Sequence, residues 1–233
     1  MQSPSEFDEY ADDYEKALAK GISVSGESKE YFARARVEWL RQCLGEPPPS
    51  LGLILDYGCG TGTATPYLLE SLGPKRLLGV DVSGRSVDVA RQEFGSERVA
   101  FETIAAPLPG ESVDLAFCNG VFHHIPPSER PKALSYVYDS LKPGACFAFW
   151  ENNPWNPGTQ WVMARIPFDR DAVKISPTGA KRLLRAAGFE IERTDFLFVF
   201  PRFLKILRSL ERIMTPLPLG AQYMVLARKP GRA

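Results

Sequence analysis

The spacing of apolar residues along the chain changes at about residue 53. Before that point, apolar residues recur at the three- and four-residue intervals of one helical face: Phe7, Tyr10, Ala11, Tyr14 and Leu18. A second helical pattern covers 32–43 and stops before three consecutive prolines, which cannot continue a helix. These patterns predict an N-terminal helical lid over residues 1–46.

From residue 53 onward, short apolar runs alternate with helical patterns. The runs predict strands at 53–56, 77–81, 99–104, 113–118 and 145–150. The patterns between them predict helices at 65–71, 86–94 and 128–141. Such regular alternation is typical of parallel strands joined by right-handed crossovers. The sequence therefore predicts an α/β fold with a doubly wound sheet, in a domain that spans 51–233.

The last third of the chain departs from this alternation. Residues 152–178 are rich in Asn, Pro and Trp and are interpreted as an insertion on the substrate side of the domain. A helix at 177–187 and strands within 189–200 and at 222–227 follow. The apolar stripe of 203–214 also carries basic residues. We interpret it as a helix packed on the sheet with a solvated basic face, in preference to a membrane-surface helix.

Charge and composition narrow the class of protein. The 233 residues include 28 basic and 28 acidic ones, so no basic field indicates nucleic-acid binding. The four cysteines lie far apart without a Cys-x-x-Cys pair, which predicts reduced, buried thiols and no metal site. No apolar run approaches the ~20 residues of a membrane helix, and residues 1–14 are acidic and lack the apolar region of a secretory signal. We expect a cytoplasmic protein that does not bind membranes.

The strand at 53–56 runs into a glycine-rich loop. Gly58, Gly60 and Gly62 alternate after Asp56, and Asp81 ends the next predicted strand. Glycines let a backbone approach a ligand closely, the following helix offers its N-terminus to an anion, and a carboxylate at a strand end can bind ribose hydroxyls. The pattern predicts a nucleotide-like cofactor at the edge of a parallel sheet.

The Asp-x-Gly-x-Gly-x-Gly run resembles motif I of the class I S-adenosylmethionine-dependent methyltransferases. The resemblance implies a seven-stranded, mostly parallel Rossmann-like sheet with an antiparallel C-terminal strand. It also implies that S-adenosyl-L-methionine is the cofactor and S-adenosyl-L-homocysteine the product. The site residues that it implies for the cofactor, beyond Asp56, the three glycines and Asp81, are Tyr14, Arg36, Val82, Ser83, Ile104 and Asn119.

These assignments differ in chemistry. Tyr14 in the lid offers an aromatic face to the sulfonium, and Arg36 offers a bidentate partner to the carboxylate. For both, ordinary helix packing is the alternative. Ile104 stands where the family often has an acidic residue, so adenine is expected to meet apolar contact and backbone there. Asn119 follows the fourth strand and is expected to line the cofactor.

The segment after Asn119 carries His123 and His124, the only two histidines in the chain. A histidine can take a proton from a hydroxyl acceptor. Glu151 ends the fifth strand and is expected to point into the same crevice as a base or a substrate-orienting group. A purely structural role is the alternative for all three.

The resulting hypothesis is methyl transfer to a small-molecule acceptor, with oxygen favoured as the accepting atom. A homodimer is kept open. A non-catalytic partner subunit that retains the cofactor pocket is one alternative. An NAD(P)-dependent Rossmann oxidoreductase is the other, and Thr63, which stands in place of the third glycine of a dinucleotide fingerprint, argues against it.

Overall fold

The strands predicted from residue 53 onward pair into one sheet. The computed structural model describes residues 25–45, 49–106, 110–165 and 172–232. Within these, the sheet has seven strands: β1 (Leu53–Tyr57), β2 (Arg76–Asp81), β3 (Val99–Thr103), β4 (Val113–Asn119), β5 (Leu141–Asn152), β6 (Glu190–Leu197) and β7 (Gln222–Arg228). Their order is β3-β2-β1-β4-β5-β7-β6, and β7 alone runs antiparallel to its neighbours. The predicted mixed sheet with an antiparallel C-terminal strand is confirmed.

Helices cover both faces of this sheet. The described α-helices are α1 (Lys29–Cys43), α2 (Thr65–Leu72), α3 (Gly84–Phe94), α4 (Arg130–Ser140), α5 (Pro157–Met163), α6 (Pro177–Ala186) and α7 (Glu211–Met214). Helices α1, α2 and α3 share one hydrophobic core with one face of the strands, and α4 and α6 share the other. Successive residues of β1, Ile54 and Leu55, are fully buried in opposite cores. Burial on both faces explains the continuous apolar runs in the sequence.

The strand order fixes where a ligand can bind. From β1 the chain builds outward to β2 and β3, and from β4 it builds in the other direction to β5. Sheets of this kind open a crevice at the carboxyl ends of the strands where the order reverses. The loop after β1 and the loop after β4 therefore flank one crevice.

The prediction that residues 203–214 form a helix packed on the sheet with a solvated basic face is wrong. The segment forms a 3₁₀ helix (Arg202–Leu210) followed by α7, and none of its residues is buried. Phe203, Ile206 and Ile213 are 80%, 84% and 76% exposed. The basic side faces the protein instead, because Arg208 bonds Glu27 and the Phe200 carbonyl. Within the described residues, no helix combines the length and apolarity needed to cross a bilayer.

Candidate functional site

A cavity of about 710 Å³ opens at the carboxyl edge of the sheet. The loops after β1 and β4 form one part of its wall, and α1, α5 and the segment 198–203 form the rest. It brings together seven of the residues expected from the sequence: Arg36, Asp56, Gly58, Gly60, Asn119, His123 and His124. Tyr14 lies outside the described residues.

The three glycines of the loop do different things. Gly58 and the next residue donate their N–H groups to the Val80 carbonyl, at 2.7 and 3.0 Å, which ties the loop to β2. Gly60 has φ +53°, and a Cβ placed on it would meet no atom of the described residues within 4 Å. Gly62 does not line the cavity, and a Cβ on it would lie 2.8 Å from the Phe94 ring of α3. Gly60 is therefore the position at which a ligand can approach the backbone.

Two hydrogen-bond acceptors at the cavity have no partner among the residues that the structure describes. Asp56 is buried on β1, and its Oδ2 receives no hydrogen bond. Burial, with a smaller contribution from the charge of Asp81, raises the pKa of Asp56 to about 7. The buried Oδ1 of Asn119 at the end of β4 is also unpartnered. Since buried polar atoms are nearly always satisfied in folded proteins, these two oxygens indicate a ligand that donates hydrogen bonds.

Asp81 stands directly behind the glycine loop. Its Oδ2 accepts from the Gly60 N–H and its Oδ1 from the Ser83 N–H, both at 2.9 Å. A carboxylate has about four lone-pair sites, so further donors can still bind it. The Ser83 hydroxyl caps α3 by accepting from Ser86 N, and Val82 is exposed. Asp81, Val82, Ser83 and Ile104 lie beside the cavity at the ends of β2 and β3 and do not line it.

His123 and Glu151 form a buried pair. The His123 Nδ1 lies 2.6 Å from the Glu151 Oε2, and the His123 N–H donates to Oε1 at 3.2 Å. Their side chains are 3% and 1% exposed. Glu151 therefore faces His123, and the expectation that it points into the crevice is wrong. The His124 ring lies beside that of His123, with 4.0 Å between centroids.

Arg130 fixes the loop that carries His123 and His124, and the sequence did not predict this role. Its Nε donates to the Phe122 and Ile125 carbonyls at 3.0 Å, and its Nη2 donates to the Val173 carbonyl at 2.7 Å. It is buried, so these bonds fix the backbone on both sides of the histidines. No signal in the sequence separates this arginine from the surface arginines.

Two residues that the sequence did not single out, Asn152 and Gln222, lie with Arg36 on the far side of the cavity. Arg36 Nε donates to the Gln222 Oε1 at 2.8 Å, and Gln222 Nε2 donates to the Asn152 Oδ1 at 3.1 Å. The Arg36 guanidinium also lies over the Phe32 and Phe198 rings, at 6.0 and 5.9 Å from their centroids. Arg36 is thus anchored beside β5 and β7, the strands beyond β4.

The thiols are poor nucleophiles in this fold. Burial raises the pKa of all four, to about 12 for Cys43 and about 11 for Cys146, with Cys59 and Cys118 raised as well. Such thiols stay protonated near neutral pH, and the thiolate is the reactive form. Across the described ranges, no three His, Cys, Asp or Glu side chains are placed to hold a metal ion.

The segment that carries the glycine loop and the two histidines is similar to known proteins. Residues 54–144 match a family model described as a methyltransferase domain. An uncharacterized methyltransferase-like protein of Schizosaccharomyces pombe is 34% identical over 123 residues, which are 50% of this chain and 46% of that protein. The trans-aconitate 2-methyltransferase of Azoarcus sp. is 28% identical over 137 residues, 58% of this chain and 53% of the enzyme. The chain thus spans about half the length of these relatives.

Among solved structures, a chain from a Haloferax volcanii complex that contains the Trm112 methyltransferase activator superimposes with a TM-score of 0.67. The match covers 98% of this chain and 100% of that one at 19% identity, and so shows a shared fold alone. The family match includes the glycine loop, Asp81, Asn119 and both histidines, and ends before Glu151.

Proposed function

We propose that the protein is a class I S-adenosylmethionine-dependent methyltransferase that transfers a methyl group from S-adenosyl-L-methionine to an oxygen of a small-molecule acceptor. The match of residues 54–144 to a methyltransferase-domain model supports this proposal. One observation carries the proposal. The unpartnered Asp56 Oδ2 and Asn119 Oδ1 line the same cavity as the open backbone of Gly60. A ligand with an ammonium group and further donors would satisfy both oxygens.

The residues present fit this cofactor. Asp56, once ionised, would accept from the ammonium of the methionyl end, and the N-terminal end of α2 would face its carboxylate. Asp81 would accept from the ribose hydroxyls, with Val82, Ser83 and Ile104 beside the adenine. Tyr14 is proposed for the sulfonium. Arg36, anchored to Gln222 on the side of β5 and β7, is proposed to border both the carboxylate and the acceptor. Gly58 and Gly62 would hold the loop in shape, and Gly60 would make the close contact.

When bound, the cofactor supplies a methyl group already activated on a sulfonium. The protein then has to align the acceptor, exclude water and accept a proton. His123 is the proposed base, because Glu151 fixes its ring and would stabilise the imidazolium that forms. Glu151 is accordingly a positioning residue. His124, which also lines the cavity, is the second candidate for contact with the acceptor.

The acceptor would occupy the part of the cavity beyond β4. Apolar side chains from the expected insertion at 152–178 and from the segment after β6 line it, including Trp161, Met163, Phe198 and Phe200. Helix α1, which belongs to the expected lid over 1–46, closes the same region through Phe32 and Arg36. The similarity to trans-aconitate 2-methyltransferase supports a small-molecule acceptor. A cytoplasmic location and a homodimer stay predictions.

The two alternatives have different signatures. A non-catalytic partner subunit would bind the cofactor without transferring its methyl group. An oxidoreductase would bind a nicotinamide dinucleotide. Tyr138 and Lys142 have the Tyr-x-x-x-Lys spacing of some Rossmann reductases. However, Lys142 lies at the start of β5, where its Nζ donates to the Asp114 Oδ1 at 2.6 Å, and Asp114 lies at the start of β4. That edge of the sheet is opposite the cavity.

Thermal unfolding with S-adenosylmethionine, S-adenosylhomocysteine and NADH in parallel tests the proposal. A ligand at 100 times its Kd should add about 2.7 kcal/mol of stability. Stabilisation by the two sulfur ligands alone is expected, and stabilisation by NADH alone would contradict the proposal. Radiolabelled methyl transfer to a panel of hydroxylated small molecules then separates an enzyme from a cofactor-binding subunit.

A further inference from the structure

The hydrogen bonds among Arg36, Gln222 and Asn152 all run in one direction. A guanidinium carries donors only, so the Arg36 Nε can bind the Gln222 amide only through its Oε1, at 2.8 Å. This orients the amide, whose Nε2 donates to the Asn152 Oδ1 at 3.1 Å. The Asn152 Nδ2 is therefore the last donor of the series, and within the described residues no acceptor binds it.

Asn152 is the last residue of β5 and lines the cavity. Successive side chains of a strand point to opposite sides of the sheet, so Glu151 and Asn152 diverge from one strand end. Glu151 binds His123 on one side. Asn152 turns to the other side, where Gln222 links it to Arg36 of α1. A ligand that lies across the end of β5 would reach the proposed base with one end and the Asn152 amide with the other.

Aromatic rings line the same part of the cavity. The Phe32 and Phe198 rings meet edge to face with 4.9 Å between centroids, and the Arg36 guanidinium lies over both. Walls of this kind favour a flat aromatic ligand, which can stack on them or meet them edge to face. The rings that contribute are Tyr31, Phe32, Trp161, Phe198, Phe200 and Phe203.

Phe198 has a backbone conformation that bulky residues rarely adopt. Its φ is +65°, and it is the only residue other than glycine with a positive φ in the described part of the chain. The Ala221 N–H donates to its carbonyl at 3.2 Å, which ties this turn to the residue before β7. Strained residues cluster at ligand-binding positions, where the surrounding structure holds them. The strain therefore supports a ligand contact for the Phe198 ring.

We propose that the methyl acceptor is an aromatic hydroxyl compound that also carries a carboxylate, and that the Asn152 Nδ2 binds this carboxylate beside Arg36. Donors next to a cation favour an anion over a neutral group at that end. The ring would lie against Phe32 and Phe198, and the hydroxyl would face His123. This inference rests on the proposed methyl transfer and names its acceptor class.

The step balances with the groups already named. The phenolic oxygen gains a bond to the methyl carbon as its proton passes to His123. The electron pair of the broken carbon–sulfur bond remains on sulfur. The products are an aryl methyl ether, which keeps its carboxylate, and S-adenosylhomocysteine.

Calorimetry on the complex with S-adenosylhomocysteine tests the proposal without turnover. The probes are 3-hydroxybenzoate, 4-hydroxybenzoate and 4-hydroxycinnamate. Each is compared with two counterparts, one with a methyl group in place of the carboxylate and one with a saturated ring. We expect at least one acid to bind about tenfold or more tightly than both of its counterparts. If S-adenosylhomocysteine binds and no acid shows this preference, the acceptor class is wrong and the proposed reaction stands. Absence of S-adenosylhomocysteine binding would overturn both.

Asn152→Asp tests the binding residue, because it keeps the oxygen that accepts from Gln222 and replaces the Nδ2 donor with an anion. We expect the preferred acid to bind at least about tenfold more weakly, while the phenol without a carboxylate and S-adenosylhomocysteine stay within about twofold. Gln160→Glu makes the same change of charge outside the cavity wall and should leave all three unchanged. Equal weakening of the acid and the phenol would show a structural role and overturn the assignment.

Methyl transfer to the preferred acid identifies the accepting oxygen. A methyl ether, which resists mild base, is expected. A methyl ester, which mild base hydrolyses, would overturn the proposal because the carboxylate would then be the methylated group. Equal kcat/KM for the acid and for the phenol without a carboxylate would also overturn it. Tight binding of the acid without any transfer would overturn both this proposal and the proposed reaction.

Discussion

The two halves of the cavity are held together in different ways. In the half next to β1 and β2, the contacts join backbone to nearby residues, as in the bond from Gly60 N–H to Asp81, 21 residues away. In the half next to β5 and β7, side chains bind one another across the chain, as in the bond between Arg36 and Gln222, 186 residues apart. The first half lies within the family match, whereas Arg36, Asn152 and Gln222 lie outside it. Following the proposed function, we call the first the cofactor half and the second the acceptor half.

Loss of Asp81 should have the largest effect. Asp81→Ala removes the acceptor that fixes Gly60 and the proposed partner of the ribose. Two charge-assisted hydrogen bonds at about 1.5–3 kcal/mol each predict at least a 100-fold weaker Kd for S-adenosylhomocysteine. Titration calorimetry measures it. Asp88→Ala on α3, an exposed aspartate, is the matched control and should leave the Kd unchanged. An unchanged Kd in Asp81→Ala would remove the carboxylate from the site.

Loss of His123 should separate binding from chemistry. A general base contributes about 10²–10⁴ in rate, so His123→Ala should lower kcat at least about 100-fold, while the Kd for S-adenosylhomocysteine stays within about twofold. Methyl transfer to an acceptor found in the panel provides the rate. His124→Ala is the comparison, and we expect a loss of about tenfold, because the Glu151 carboxylate that would stabilise an imidazolium faces His123. The reverse ranking would make His124 the base.

The pH dependence of cofactor binding should report Asp56. With its pKa raised to about 7, Asp56 is mostly protonated at pH 6 and mostly ionised at pH 8. Only the ionised form attracts an ammonium, so S-adenosylhomocysteine should bind about tenfold more tightly at pH 8 than at pH 6. Adenosine, which lacks the ammonium, should show no such change. Similar pH profiles for both ligands would contradict the assignment.

Asp56 should also make the free energy of unfolding of the ligand-free protein depend on pH. A carboxyl whose folded pKa lies above its unfolded value holds its proton more tightly when folded, so its stabilising contribution is complete below the unfolded pKa. It is lost as pH rises towards about 7. The free energy of unfolding of Asp56→Asn should therefore decrease less between pH 4 and pH 7 than that of the wild type. This comparison uses denaturant titrations at each pH.

The fold and the cofactor half could be predicted because their signals are local. Strands buried on both faces appear as apolar runs, and the loop that follows β1 must contain glycine where φ is positive. The acceptor half could not be predicted in this way. The direction of Glu151 depends on a bond to His123, 28 residues away. The segment 203–214 turns its apolar side outward because its arginines bind residues near the other end of the chain.

The central claim is that the glycine loop cradles a ligand and is more than a turn. Gly60 and Gly73 form a matched pair, since both have φ near +55° and, in the part of the chain that the structure describes, neither has an atom within 4 Å of the Cβ position. Gly60 lines the cavity, whereas Gly73 ends α2 and does not. Each change to alanine should cost about 1–2 kcal/mol of stability.

Titration of S-adenosylhomocysteine into Gly60→Ala and Gly73→Ala therefore tests this claim most directly. We expect the Kd of Gly60→Ala to rise about tenfold or more, because the new Cβ occupies the approach to the backbone, and that of Gly73→Ala to stay at the wild-type value. Equal affinity in both variants would show that the loop is a turn without a ligand and would contradict the account.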